Sequence, residues 1–138
     1  MAVLVDTPIW SLAFRRKRKD LSVPDTEAVA TLVGLIGERK ARIMGPIRQE
    51  LLTGLRDPQT YERLRELLRA FDDEPVSSED YELAAWSANE CRAAGVATTP
   101  VDMLICAVAS RRKWEIFTAD KDFDRYAKCL AVYLHPTH

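Results

Sequence analysis

The sequence predicts an α/β fold in three layers, with helices on both faces of a central parallel β-sheet. Two observations carry this reading. Short apolar runs, "AVLV", "ARIMG", "WEIFT" and "CLAVYL", recur between longer segments of helical periodicity. Such runs do not alternate in polarity, so they read as strands buried on both faces. Strands that alternate with helices imply parallel pairing with right-handed crossovers.

Each element has its own signal. "AVLV" opens the chain as a strand and ends in Asp6. "TPIWSLAF" follows as a short helical turn, with the basic run "RRKRK" (Arg15 to Lys19) after it as a loop. "PDTEAVATLVGLIGERK" is a helix with Asp25 or Thr26 as cap and Val29, Leu32, Val33 and Ile36 as its apolar face. "ARIMG" is a second strand. "PIRQELLTGL" starts a helix with Pro46 at its first position and ends it near Gly54. "DPQTYERLRELLRAF" repeats that grammar, with Asp57 as cap and Leu64, Leu67, Leu68 and Phe71 as its face. "SSEDYELAAWSANECRAAG" is a serine-capped helix that stops at Gly95. "TPVDMLICAVASRRK" is the next, with Val101, Leu104, Ile105 and Val108 as its stripe. "WEIFT" is a strand, "DKDFDRYAK" a short helix and "CLAVYL" a last strand.

The 138 residues suit one domain, 1–138, with the helices between about 46 and 95 as an insertion in it. A composition 47% apolar and 30% charged is that of a water-soluble globular chain. No apolar run is long enough to span a membrane, and "MAVLVDTP" lacks the basic start and apolar stretch of a signal peptide. Cys91, Cys106 and Cys129 are odd in number and form no C-x-x-C pair, so neither a zinc site nor a disulfide framework is expected. A cytoplasmic location follows. The net charge of −1 does not announce a nucleic-acid binder. The basic run is the exception: it is either a solvated loop or a polyanion contact.

Ligands of open parallel sheets bind beyond the carboxyl ends of the strands. Asp6 directly follows the first strand and Asp120 follows "WEIFTA". Asp102 opens a helix beside its apolar stripe, and Glu50 sits between Ile47 and Leu51 in a similar way. Asp6 and Asp120 are also suited to helix capping, Asp102 to its helix dipole, and Glu50 to a solvated surface. The only histidines, His135 and His138, lie in the last four positions, and no phosphate-binding glycine motif or nucleophile–base pair is present. Clustered carboxylates without histidine suit a hard divalent cation, Mg²⁺ or Mn²⁺, which favours oxygen ligands. Metal-assisted phosphodiester hydrolysis is the chemistry such a cluster performs.

"VDTPIW", "PIRQELLTGL" and "TPVDMLICAVASRRKWEIFTADKDF" together resemble a PIN domain, and more narrowly the VapC-type toxins of bacterial type II toxin–antitoxin pairs. The most specific stretch runs from Thr99 to Phe123. It joins a D-x-x-I-x-A-x-A helix (Asp102, Ile105, Ala107, Ala109) to a T-x-D-x-D-F element (Thr118, Asp120, Asp122, Phe123). The resemblance implies a Mg²⁺- or Mn²⁺-dependent endoribonuclease whose catalytic and metal-binding quartet is Asp6, Glu50, Asp102 and Asp120. Asp6 and Asp102 would be the firmest ligands, Thr118 would support Asp120, and Asp122 and Asp124 would stand behind them or start a helix. Pro8 departs from the family, which often has a hydroxyl residue there.

The resemblance further implies a homodimer, a cognate antitoxin that covers the acidic groove, and DNA contact only through that antitoxin. The substrate would be structured RNA, a tRNA or ribosomal RNA loop, whose cleavage inhibits translation. "RRKRK" would grip phosphates, while Trp10 and Phe14 read as core residues in preference to stacking platforms for bases. The alternatives are a stand-alone PIN nuclease of RNA processing and a non-catalytic RNA- or protein-binding domain of this fold. A response-regulator receiver is disfavoured because Asp57 follows a helix. A haloacid-type phosphatase is disfavoured because Pro8 replaces the second acid of its D-x-D.

Overall fold

The structure, a computed structural model, describes residues 1–136, so His138 lies outside it. The central strand is β1 (Val3–Val5), wholly buried. It pairs in parallel with β2 (Ala41–Arg42) on one side and β3 (Glu115–Phe117) on the other. Val3 aligns with Ala41 and Glu115, and Val5 with Phe117. Single parallel bridges, Ile43 to Asp73 and Ile116 to Leu134, extend the two edges.

Most of the helices begin where a capping side chain satisfies a free N–H group. α1 (Thr7–Phe14) is capped by Asp6 and buries Ile9, Trp10 and Leu12. The buried Trp10 indole donates to the Val5 carbonyl at 2.9 Å, so its polar edge is not left unpaired. α2 (Val23–Gly37), α3 (Gly45–Leu52) and α4 (Pro58–Leu68) follow. Then come α5 (Ser78–Ala93), α6 (Pro100–Arg112) and α7 (Asp122–Cys129). Asp57, Ser77 and Thr99 cap α4, α5 and α6 through side-chain oxygens. Gly95, just past α5, takes a φ of +78°, the left-handed turn that glycine adopts without strain.

α1 packs on α2 and α3, and α3 on α4; α5 packs on α6 and α7, and α6 on β1 and β3. The sheet thus lies between two helical layers, as a three-layer α/β/α fold requires. No helix among the described residues is long and apolar enough to cross a membrane.

Four local expectations change. The cap of α2 is Ser22, whose hydroxyl accepts from Asp25 N at 3.2 Å, rather than Asp25 or Thr26. Pro24 fits the first turn of a helix, where its missing N–H costs nothing, so the helix starts before it. The face of α2 is also rotated: Ala28, Leu32 and Leu35 are buried while Val33 is 56% exposed. α6 has no single stripe, because every residue from Met103 to Ala109 is buried between the sheet and α5. The last strand shrinks to the bridge at Leu134, with Ile116 N donating to Tyr133 O and His135 N to Ile116 O. α7 extends through Cys129, the first residue of "CLAVYL".

Candidate active site

Two parallel neighbours, β1 and β3, deliver their next residues to the same edge of the sheet. Asp6 N donates to Phe117 O at 2.8 Å, which locks the two strand ends together. The Asp6 carboxylate accepts from Thr7 N with one oxygen and from the Thr118 hydroxyl with the other, both at 2.8 Å. It therefore caps α1 and faces the second strand at once. Thr118 also accepts from Asp120 N at 3.0 Å, so one hydroxyl joins the two acids that close the two strands. Asp120 in turn accepts from Asp122 N at 2.9 Å.

α6 supplies the third side. Its cap, Thr99, accepts from Asp102 N, and Tyr126 of α7 donates its hydroxyl to Asp102 Oδ2 at 2.7 Å. One carboxylate oxygen each of Asp102, Asp120 and Asp122 lie within 4.8 Å of one another, the spacing of ligands around a cation. Asp122, read from sequence as a supporting or helix-start acid, thus stands inside this cluster. Glu50 lies on α3 and is exposed to solvent, while its charge acts on Asp6.

The electrostatics follow from burial and from likeness of charge. Asp6 is only 5% exposed. Desolvation, opposed by its bonds to Thr118 and Thr7 and aided by Asp102 and Glu50, raises its pKa from 3.8 to about 6. Burial raises Asp102 as well, opposed by the Tyr126 bond and aided by the charges of Asp120 and Asp122. The charges thus chain together: Glu50 and Asp102 act on Asp6, and Asp120 and Asp122 act on Asp102. Burial pushes the Tyr126 hydroxyl well above its ordinary range, so it donates to Asp102 at neutral pH.

Among the described residues, no Lys, Arg or His forms an ion pair with Asp6, Glu50, Asp102 or Asp120. Arg125 pairs with Asp122 alone, on the exposed side. Sequence reasoning passed over Tyr126. Its signal was its place three residues after Phe123, on the one buried face of a strongly amphipathic helix.

Solved structures share this architecture. FitAcB from Neisseria gonorrhoeae superposes with a TM-score of 0.77 at 20% identity, covering 98% of this chain and 97% of that one. VapBC2 from Rickettsia felis, bound to a promoter DNA fragment, gives 0.75 at 16% identity, with 98% of each chain covered. A toxin–antitoxin complex from Klebsiella pneumoniae gives 0.65 at 21% identity, covering 88% of this chain and 90% of that one. At these identities the likeness is one of fold. No curated protein matches the sequence significantly. The model of the PIN domain matches residues 3–128. That span takes in β1, β3 and every acid just described, and the chain belongs to the PIN-domain family.

Proposed function

We propose that the chain is a Mg²⁺- or Mn²⁺-dependent endoribonuclease and the toxin of a type II toxin–antitoxin pair. It hydrolyses phosphodiester bonds in a structured RNA, a tRNA or ribosomal RNA loop, and so inhibits translation. The observation that carries the reading is the meeting of Asp102, Asp120 and Asp122 at cation-ligand spacing, with Asp6 joined to Asp120 through the Thr118 hydroxyl and no cation among the described residues paired to Asp6, Asp102 or Asp120. Like charges gathered this way are unfavourable unless a cation joins them. The donors are all oxygens, the set that hard divalent ions prefer over sulfur or imidazole. Asp6, Glu50, Asp102 and Asp120 would hold the ion, with Asp122 beside them. Such an ion, when bound, stabilises negative charge on a phosphoryl oxygen and lowers the pKa of a water.

The chain's own residues prepare the site. The Thr7 amide and the Thr118 hydroxyl fix the plane of the Asp6 carboxylate, and Tyr126 fixes that of Asp102. Preset ligands of this kind bind without first paying to become ordered. Arg15, Arg16, Lys17 and Lys19 are exposed at the far end of α1, about 12 Å along the helix from Asp6. From there they reach the phosphates that flank a scissile bond. The structural likeness to a toxin–antitoxin complex supports an antitoxin partner. It would cover the acidic groove and carry any DNA contact, with the toxin as a cytoplasmic homodimer.

Melting with and without metal tests the shared site. Mn²⁺ is expected to raise Tm by several degrees, more at pH 7.5 than at pH 5, because protons compete for Asp6 below about 6. Chelation should reverse the rise and Asp120→Asn should blunt it. An unchanged Tm, with RNA cleaved equally well in chelator, would refute the reading. The basic run has its own test. Neutralising Arg15, Arg16, Lys17, Arg18 and Lys19 should lower the salt slope of RNA binding by about 0.7 for each phosphate that is no longer neutralised. An unchanged slope would return the run to a solvated loop.

A further inference from the structure

The proposed chemistry uses no cysteine, yet the fold brings two of the three together. Cys91 lies in the last turn of α5, and Cys129 ends α7. Their sulfurs stand 3.1 Å apart across 38 positions of sequence, inside van der Waals contact. Both are free thiols; Cys91 is fully buried and Cys129 is half-buried. We infer that Cys91 and Cys129 are a redox pair, closed to a reversible disulfide by a hydroperoxide or a small-molecule disulfide, which fastens α7 to α5.

The surroundings favour this use over others. A thiolate metal site needs further donors. Among the described residues, the acidic cluster is the only group of three or more candidate ligands with metal spacing. Cys106 is buried in the middle of α6, away from the surface. Burial, and then the contact with Cys129, pushes the Cys91 thiol up to about 12. Cys91 is therefore the partner that resolves, and Cys129 the one that meets the oxidant. The bond asks for a further approach of about 1 Å between two helix ends that already pack together.

The chemistry balances with either oxidant. A hydroperoxide gives up its terminal oxygen to Cys129, forming a sulfenic acid and an alcohol or water. The Cys91 sulfur then attacks the Cys129 sulfur, the S–O bond breaks, and the hydroxide leaves as water with the Cys91 proton. A small-molecule disulfide instead forms a mixed disulfide with Cys129 and releases one thiol. Cys91 then displaces the second thiol. In both routes the two cysteines lose two electrons and two protons in total.

The consequence reaches beyond the sulfurs. α7 carries Asp122 and Tyr126, and Tyr126 holds Asp102. Beyond α7 the chain is held to β3 by the bridge at Leu134 and by His135, which pairs with Glu115 and lies edge-on against Phe117. A disulfide that closes this stretch restricts the unfolded chain and pins the helix that completes the acidic cluster.

The test uses the full chain, treated with hydrogen peroxide or with glutathione disulfide, then alkylated, digested and mapped. The expected product is an intrachain Cys91–Cys129 link, about 2 Da lighter for two lost hydrogens, that dithiothreitol reverses. Tm should rise by about 5–10 °C. Amide exchange at Leu130, which donates to Tyr126 O at the end of α7, should slow. Cys106→Ser should keep the link. Cys129→Ser should lose both the link and the Tm rise, and it changes a half-buried position rather than the core. Four outcomes overturn the inference: Cys129 driven to sulfinic acid, a lasting mixed disulfide, a link between two chains, or an intrachain link without a change in Tm. None of these readouts involves RNA, so the pair stands or falls apart from the nuclease reading.

Discussion

Asp6→Asn is expected to lower RNA cleavage by about 10³-fold or more while making the metal-free protein more stable. Loss of a ligand removes several kcal/mol of charge stabilisation from the transition state, and each 1.4 kcal/mol or so is tenfold in rate. The opposite effect on stability comes from burial. With Asp6 at 5% exposure, the rise from 3.8 to about 6 corresponds to about 3 kcal/mol against the ionised form. Asparagine keeps the local bonds: its oxygen accepts from Thr7 N, and its amide donates to the Thr118 hydroxyl, which has a free lone pair. The sign with pH follows. Between 3.8 and about 6 the folded state binds the Asp6 proton more tightly than the unfolded state, so metal-free stability falls as pH rises through that window. Asp6→Asn should flatten this fall. A variant with full cleavage at saturating metal would remove Asp6 from the site. A variant less stable than the parent at pH 7.5 would remove the strain.

Asp80→Ala is expected to cost about 3–5 kcal/mol in urea unfolding, the loss seen when one partner of a buried ion pair is removed. Asp80 has no exposed surface. It accepts from Arg111 at 2.7 Å, from both terminal nitrogens of Arg112 at 3.0 Å and from Ser77 N at 2.9 Å. Arg112 goes on to Pro75 O and Glu74. One carboxylate thus ties the start of α5 to the end of α6, the helix that presents Asp102. The Arg112 bond, with those of Ser77 and Arg111, holds Asp80 well below the usual carboxylate range. Here the sign is opposite to that of Asp6: the contribution is full above about 3.8 and is lost as pH falls below it. A cost under 1 kcal/mol would show that the pair is replaceable by water. Cleavage should survive in the variant at temperatures where it is folded, because Asp80 touches none of the clustered acids.

The contrast between Asp6 and Asp80 shows what could be read from the sequence and what could not. "AVLVDT" signals a buried strand that ends in an acid, because four apolar residues in a row leave only one place for the charge. Thr99 and Asp102 announce a helix start in the same way. These signals are local, and they place Asp6, Asp102 and Asp120 at edges where parallel sheets bind ligands. Asp80 looks like one acid among several in "SSEDYE", since the two arginines that bury it lie about thirty positions later. Tyr126 was hidden for a related reason, since only the folded position of α7 brings its hydroxyl to Asp102; Asp122 was legible as a supporting acid but not as a member of the cluster. Spacing along the chain likewise gave no hint that Cys91 and Cys129 meet. The face of α2 was misplaced because apolar residues on both sides of Leu32 compete, and the neighbouring α1 decides which side is buried. The strand at "CLAVYL" is reduced to a single bridge at Leu134, and nothing in the structure explains why the rest of the run does not pair.

The proposed nuclease stands on one divalent ion shared by carboxylates from β1, α6 and the turn after β3. Diffraction at the manganese absorption edge from Mn²⁺-soaked crystals would locate that ion. An anomalous peak is expected between Asp6, Asp102 and Asp120, and it should be absent from Asp102→Asn crystals of the same form. A cluster with no peak, its carboxylates paired instead with lysine or arginine of the chain, would contradict the shared ion.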